Sequence, residues 1–212
     1  REQYEVLTRV ADPDLATWRL KLNVFTPEEL EQLLAPEVLK EVSPAGRNPY
    51  ALLSAFLTAH DDLNRVLEMD QREVLPNQVL PFVDRLSMAH SIEVRVPFLD
   101  YRLVEFVNSL PGSMKIKEGV NKYIHKAAME KILPEDIINR PKEGFVQPNY
   151  LWMHASLKGW VLEKLRTLPK KFFNASFLGS LISRFERGET ALNAKIWGLT
   201  CLSLWWGARR NP

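Results

Sequence analysis

The most uniform apolar pattern in the chain lies between Asn77 and Ile92, where the residues suit a helix. Apolar positions fall nearly all round that helix, which is typical of a buried helix and not of a half-exposed one. Pro97 ends the helical run and favours an extended backbone at Val96. The apolar positions are Val79, Leu80, Phe82, Val83, Leu86, Met88, Ala89 and Ile92.

Apolar spacing also predicts helices on both sides of this stretch. Thr26, Pro27 and two glutamates have the pattern of a helix start, with Thr26 as the cap. Gly188 is a natural stop for the helix that precedes it. Met114–Asn121 is expected to be a basic loop, and no strand is predicted, so the chain is expected to be all-α. The further helices are predicted at Pro49–Met69, Tyr101–Leu110, Lys122–Ile132, Asn174–Arg187 and Thr190–Trp206, the last being the more buried of the final two.

Five charged residues lie within the central apolar stretch or directly after it. Buried charges persist only when they are paired and hydrogen-bonded. We therefore expect an internal ion-pair network that holds the surrounding loops in register, with direct ligand contact as the alternative. The five residues are Asp84, Arg85, Glu93, Arg95 and Asp100.

Composition narrows the class of protein without naming a function. The 212 residues are 46% hydrophobic and 25% charged, and the net charge is +2, so neither nucleic acid nor a membrane is expected as a partner. The single cysteine, Cys201, excludes an internal disulfide and favours a reducing, cytoplasmic compartment. Cys201 and His90 are expected in the core, and the four histidines show no metal-ligand spacing, so no metal site is predicted.

Two segments carry a resemblance to a known family. Residues 84–100 read D-R-L-S-M-A-H-S-I-E-V-R-V-P-F-L-D and residues 140–148 read R-P-K-E-G-F-V-Q-P. Both resemble the asparagine synthetase (glutamine-hydrolysing) family. The resemblance implies that residues 1–212 are one helical segment, the carboxyl-terminal part of an α/β adenine nucleotide alpha-hydrolase-like (ATP pyrophosphatase) domain. That domain adenylates a carboxylate, which ammonia from glutamine then attacks.

Parts of the family pattern are absent from these 212 residues. The family's phosphate loop is a serine-glycine-glycine turn and its metal ligands lie in an acidic motif, whereas this sequence has no Gly-Gly pair and its nine glycines are scattered. The glutamine-hydrolysing cysteine at the amino terminus is absent too. ATP and magnesium are therefore expected in a parent enzyme, not bound strongly by this chain alone. The expected partners are the phosphate-loop and glutaminase portions of the parent enzyme, and the expected substrates are aspartate and glutamine. Whether the protein forms a homo-oligomer is left open by the sequence.

Three basic residues are candidates for the nucleotide's phosphates. Lys142 matches the family lysine that contacts phosphate during adenylation, and its plainer interpretation is a solvated loop lysine. Lys122 is expected at the start of a helix, where an ordinary charged surface is the alternative. Arg140 can form a bidentate phosphate contact, but pairing with Asp136 or Glu143 is an equal alternative.

One departure from the family affects the choice of substrate. Many members carry a basic residue two positions before the aspartate that corresponds to Asp84, and this chain has Phe82 there. Two further hypotheses therefore stay open. One is a relative that amidates or cyclises another carboxylate in polysaccharide or peptide biosynthesis, and the other is a non-catalytic helical interaction module.

Overall fold

Helices make up nearly all of the regular structure in the computed structural model, which describes residues 14–141 and 148–210. The described chain divides into two compact units, residues 14–52 with 148–210, and residues 53–141. The prediction of a mainly helical chain is confirmed. The prediction of no strand is wrong, because Ile116–Lys117 (β1) and Val120–Asn121 (β2) form a short antiparallel hairpin inside the expected basic loop.

The first unit is built from two distant stretches of the chain. Ala35 N–H donates to the Phe172 carbonyl and Asn174 N–H to that of Leu33, around an isolated bridge between Leu34 and Phe173. These bonds join the two stretches. The helix Pro49–Ala55 (α5) spans residue 52, where the chain passes from the first unit to the second. The other helices of the first unit are Leu15–Lys21 (α1), Pro27–Leu33 (α2), Pro36–Glu41 (α3), Pro44–Arg47 (α4), Asn149–His154 (α12), Lys158–Arg166 (α13), Ala175–Glu186 (α14) and Asn193–Arg210 (α15).

Local capping fixes the helix ends of the first unit where the sequence predicts them. Thr26 Oγ1 accepts from Glu29 N–H at 3.3 Å, and the Glu29 carboxylate accepts from Thr26 N–H at 3.0 Å, which completes a capping box. Asn174 caps α14, and Gly188 follows that helix with φ of +91°. A positive φ is open to glycine without a steric penalty, which explains the stop.

The hydrophobic core of the first unit lies between its closing helices. Phe185 and Ile196 are fully buried, and Leu33 from the amino-terminal stretch is 2% exposed in the same core. Cys201 is exposed, so its predicted core position is wrong. The core comprises Leu33, Met153, Val161, Leu165, Leu168, Phe173, Leu181, Phe185, Leu192, Ile196 and Leu199.

The second unit buries fewer of its side chains than the first. Met69 is the one apolar side chain that is buried among its described residues 53–141. A π-helical turn at Leu75–Val79 leads directly into the central helix. The α-helices of this unit are Asp62–Arg72 (α6), Leu80–Met88 (α7), Tyr101–Ser109 (α8), Gly112–Lys115 (α9), Tyr123–Met129 (α10) and Glu135–Ile138 (α11).

The helix predicted over Pro49–Met69 is two helices. The break lies between Ala55 and Asp62, where Thr58 and Ala59 donate backbone N–H groups to the Glu68 carboxylate instead of continuing a helical ladder. Asp61 then starts α6 by accepting from Asn64 N–H at 2.9 Å. A side chain ten residues away thus competes successfully with local helix formation.

The burial predicted for the central helix is wrong. The helix exists, but α7 contains no buried residue, and Phe82, Leu86 and Met88 are each more than half exposed. His90, expected in the core, is also exposed. An all-round apolar pattern predicts burial only when something encloses the helix.

Among the described residues, no helix is long and apolar enough to cross a membrane.

Candidate functional site

The five charged residues of the central stretch do not form one internal network. Arg95 pairs with Glu93 at 2.7 Å, and both side chains are more than 70% exposed. Asp84 and Arg85 are exposed and make no ion pair with another described residue. The prediction of a buried network is therefore wrong for the part of the chain described, and the role of these residues in holding loops stays a prediction.

Asp100 serves the helix that follows it. Its carboxylate accepts from the Arg102 guanidinium at 2.7 and 3.0 Å and from Arg102 N–H at 3.0 Å. The side-chain bond from Arg102, followed by the backbone bonds, lowers the pKa of Asp100 below its ordinary value. Asp100 is thus the cap of α8, and its partner is Arg102, not Arg85 or Arg95.

Lys122 lies at the edge of an open cavity of about 780 Å³ in the second unit. The walls from α6, α8 and α10 are mainly leucine, valine and isoleucine, with Gln71, Asn108 and His125 among them. The hairpin contributes Ile116 and Asn121, and the residues on either side of it contribute Lys115 and Lys122. Lys122 is exposed and takes a left-handed conformation, with φ of +58°, directly before α10. A mainly apolar cavity of this size with a few polar groups is typical of a small-molecule site.

A buried polar cluster lies next to the hairpin that Lys122 follows. Asn64 is 8% exposed, and its amide nitrogen donates to Asp61 at 2.7 Å and to the Leu110 carbonyl at 2.9 Å. Lys115 Nζ donates to Asn64 Oδ1. Burial lowers the pKa of Lys115, while the nearby Asp61 carboxylate acts in the opposite direction.

Asp61 completes this cluster with a second role. Besides capping α6, its Oδ2 accepts from Gly112 N–H at 3.1 Å. The bond from Asn64 N–H is the largest cause that lowers the pKa of Asp61. Neither Asp61 nor Asn64 is among the site residues predicted from the sequence, although the Asp-x-x-Asn spacing at a helix start is a usable signal. The prediction of an unbroken helix through position 61 concealed it.

Glu68 organises a second, more polar cavity of about 610 Å³. Its carboxylate accepts from Ala59 N–H at 2.9 Å, from Thr58 N–H at 2.8 Å and from Arg72 Nε at 2.9 Å. Burial raises the pKa of Glu68, but these hydrogen bonds together outweigh burial and leave the pKa below its ordinary value. The carboxylate is fully engaged with the protein itself.

Of the two remaining candidates for the phosphates, Arg140 lies among the described residues. Lys142 lies outside the described residues. Arg140 is exposed and makes no ion pair with Asp136, and its other expected partner, Glu143, also lies outside the described residues.

The described residues fit a supporting position beside a nucleotide better than a metal site. Lys115 and Lys122 bring positive charge to one side of the apolar cavity, where phosphates would fit beside Lys122, and Lys115 already donates to Asn64. Within residues 14–141 and 148–210, no group of three or more His, Cys, Asp or Glu side chains could hold a metal ion. His154 instead bonds Asn193 at 2.7 Å and packs on Phe185.

Comparison with known proteins identifies the class. The family described as asparagine synthase matches residues 5–207, so the chain belongs to the asparagine synthase family and carries part of its synthetase domain.

Particular relatives are named asparagine synthetase [glutamine-hydrolyzing]. Protein 1 of that name from Bacillus subtilis (strain 168) is 27% identical over 178 residues, which cover 82% of this chain and 28% of the relative. The Gallus gallus protein is 45% identical over 148 residues, 66% of this chain and 26% of its own length. No solved structure is significantly similar to the chain. The chain therefore spans little more than a quarter of these relatives.

Proposed function

We propose that the chain is the carboxyl-terminal, helical part of the synthetase domain of a glutamine-hydrolysing asparagine synthetase. The whole enzyme would adenylate the side-chain carboxylate of aspartate with ATP, release pyrophosphate, and pass ammonia from glutamine to the activated carboxylate. The observation that carries this proposal is the family match over residues 5–207.

The chain's own residues have a supporting part in that reaction. Lys142 would place a single ammonium against the phosphates, Lys122 would add charge from the rim of the apolar cavity, and Arg140 would contribute a planar guanidinium. Positive groups placed where phosphate charge develops stabilise the transition state directly. ATP supplies the leaving pyrophosphate, and the magnesium ligands and phosphate loop come from the portion of the enzyme outside these 212 residues.

The test is ATP–pyrophosphate exchange by the native polypeptide purified from its source cells, with aspartate as the acceptor. Lys142→Ala is expected to lower the exchange rate by about 10²–10³, the usual effect of removing one electrostatic stabiliser. Lys131→Ala is the matched control, because Lys131 is an exposed lysine of the second unit. Its exchange rate should equal that of the wild type, and the 212 residues alone should support negligible exchange.

Two results would contradict this proposal in different ways. Unchanged exchange in Lys142→Ala would favour a non-catalytic helical module that keeps the family scaffold. Robust exchange by the isolated 212 residues would show that the phosphate loop of the relatives is not needed.

A second candidate function rests on Phe82. This side chain is 60% exposed at a position where many family members carry a basic residue. An apolar ring there cannot pair with the second carboxylate of aspartate, which favours a relative that amidates or cyclises a different carboxylate. A panel of carboxylic acids in the same exchange assay separates the two, since aspartate should then give no more exchange than the enzyme without acceptor.

A further inference from the structure

Lys122 has an unusual backbone conformation for a residue with a side chain. Its φ of +58° lies in the left-handed region, which it shares with two other non-glycine positions among the described residues, Ser91 and Glu118. Residues other than glycine persist in this region only where the surrounding structure holds them there. Contacts outside Lys122 itself must therefore fix the conformation with which this lysine meets the edge of the apolar cavity.

The hairpin before Lys122 is too short to fix it alone. Ile116 pairs with Asn121 at the open end, and one further pair completes two strands of two residues each. An isolated two-stranded hairpin is marginally stable at best in water. Lys115 and Lys122 are the next residues on either side of the open end, so whatever holds Lys115 also determines where Lys122 leaves the hairpin.

The helix before the hairpin is held at both of its ends. This helix, α9, is a single turn that begins at Gly112 and ends at Lys115. The Gly112 N–H donates to Asp61 Oδ2 at 3.1 Å, and the Lys115 ammonium donates to Asn64 Oδ1. Both acceptors lie at the start of α6, so α9 cannot turn or slide along α6 without losing one of these bonds.

Asn64 joins the two anchors of α9 to each other. Its side chain accepts from Lys115 through the amide oxygen, and its amide nitrogen donates to Asp61 at 2.7 Å and to the Leu110 carbonyl at 2.9 Å. Both amide hydrogens and the amide oxygen are thus engaged, in a residue that is 8% exposed. A buried polar network whose members are all satisfied is rigid and specifies one arrangement.

The two lysines beside the hairpin have different surroundings. Lys115 is half-buried and its ammonium is engaged by Asn64, whereas Lys122 is exposed at the edge of the cavity. A charged group stabilises developing charge best when the protein has fixed its place beforehand. Lys115 is therefore suited to be an anchor, and Lys122 to meet a ligand.

We infer that Asp61, Asn64 and Lys115 are positioning residues, which hold the open end of the hairpin so that Lys122 meets the cavity at one fixed place. This inference rests on the proposed function, in which Lys122 adds charge beside the phosphates of the nucleotide. It brings three residues into that reaction, none of which has to contact the nucleotide.

Amide hydrogen exchange of the native polypeptide, measured without substrate, tests the positioning directly. Lys115→Met and Asn64→Ala should each speed amide exchange in a peptide that spans residues 116–123 by about tenfold or more, because each removes a hydrogen bond that keeps the hairpin in place. The amides of α8 should keep their wild-type protection. Unchanged protection of residues 116–123 in both variants, or equal acceleration throughout the second unit, would overturn the inference.

Two variants of matched chemistry are the controls for amide exchange. Lys131→Met removes an exposed lysine of the same unit. Asn77→Ala removes an exposed amide that donates to Glu73, one turn away on its own helical stretch, at 3.1 Å. Neither should change the protection of the hairpin, and acceleration there in either control equal to that in Lys115→Met would also overturn the inference.

A double-mutant cycle in the ATP–pyrophosphate exchange assay tests whether the positioning acts through Lys122. Lys115→Met should lower kcat by about tenfold and leave the KM for ATP nearly unchanged, because a displaced charge is missed mainly in the transition state. In a Lys122→Ala background the same substitution should have no further effect, since the group that it positions is gone. Losses that multiply in the double variant would overturn the inference, because Lys115 would then act on the fold and not through Lys122.

The two measurements separate this inference from the proposed function. Amide exchange requires neither ATP nor aspartate. A native polypeptide that catalyses no pyrophosphate exchange with aspartate would therefore contradict the proposed function, while the protection of residues 116–123 would still decide whether the cluster holds the hairpin.

Discussion

Gly112 is the described glycine of the second unit that leaves the least room for a side chain. A Cβ added there would lie 2.6 Å from Asp61 Oδ1 and 3.1 Å from the Leu63 Cβ. Gly112→Ala should therefore destabilise the protein by about 1–3 kcal/mol, since crowding displaces the carboxylate that Gly112 N–H binds. Urea unfolding with the free energy extrapolated to water measures the effect.

Gly179 provides the matched control for that exchange. It is exposed within α14, and an added Cβ would meet no atom within 4 Å. Gly179→Ala should stabilise the protein by up to about 1 kcal/mol through helix propensity alone. If both exchanges had the same sign, the clash at position 112 would not be the cause.

Glu68 should make part of the stability dependent on pH. Its pKa in the folded protein lies below the ordinary 4.5, so its contribution is present above that pH and is lost as the pH falls through the folded pKa. Glu68→Gln should destabilise by about 1–3 kcal/mol at neutral pH, the usual range for hydrogen bonds to a charged group. The deficit relative to wild type should shrink in acid.

Urea unfolding of both proteins from neutral pH down to the acid range tests this expectation. Glu105→Gln, at an exposed position of α8, should stay within about 0.5 kcal/mol of wild type throughout. A deficit at Glu68 that does not change with pH would show that the charge of the carboxylate is not responsible.

Single residues were predicted from the sequence where their chemistry is local. Thr26 is the predicted cap of α2, because its hydroxyl accepts from the N–H three residues away, and such spacing is visible in sequence. Asn64 joins Asp61 to Leu110 across 46 residues, so no short window could reveal it. Lys142 is predicted mainly from family resemblance, and its role stays a prediction because it lies outside the described residues.

At the scale of elements, the start of α2 is the clearest case of local control. Thr26 and Glu29 form a reciprocal capping box, and Glu29 also pairs with Lys195 of α15. Thr26→Ala should destabilise the protein by about 1 kcal/mol, because it leaves the Glu29 N–H without its acceptor. Thr190→Ala is the control, since Thr190 is exposed and caps no helix. Thermal unfolding should separate the two, and equal transitions would exclude a capping contribution.

The positions of helices are easier to predict from the sequence than the places where a helix is broken. Tyr101–Ser109 and Ala175–Glu186 lie close to their expected positions, since apolar spacing and flanking stop signals agree. The break at residues 56–61 was missed because the Glu68 carboxylate draws two N–H groups out of the helical ladder. The hairpin at Ile116–Asn121 was missed because strands of two residues show no alternation.

At the scale of the whole molecule, the first unit depends on contact between distant stretches. Leu33 is 2% exposed in a core otherwise supplied by residues 153–199. Leu33→Ala should destabilise the protein by about 2–5 kcal/mol, through lost burial and the cavity that remains. Urea unfolding can be followed by tryptophan fluorescence, since Trp160 and Trp197 pack against this core.

Leu151→Ala is the control for that prediction. Leu151 is 72% exposed, so its truncation should change the free energy of unfolding by less than about 0.5 kcal/mol. Similar effects at the two positions would mean that Leu33 does not join the two stretches of the unit.

Burial was the property least accessible from the sequence. The pattern at residues 77–92 correctly predicted a helix, but the degree of burial depends on what covers the helix and not on its own residues. Core positions in the first unit followed the pattern, because α14 and α15 supply each other's neighbours. In the second unit the described chain contains no equivalent set of neighbours for α7.

The double engagement of Asp61 limits how freely this position can vary. Ser, Thr, Asn and Asp are usually interchangeable at the start of a helix, because each offers one oxygen to the first turn. Here one oxygen serves Asn64 N–H while the other serves both the Asn64 amide and Gly112 N–H. A hydroxyl lacks the second acceptor, and an amide would turn a donor toward Gly112. Replacements that are tolerated at an ordinary helix cap would therefore, at position 61, break the bond between the start of α6 and Gly112, the first residue of α9.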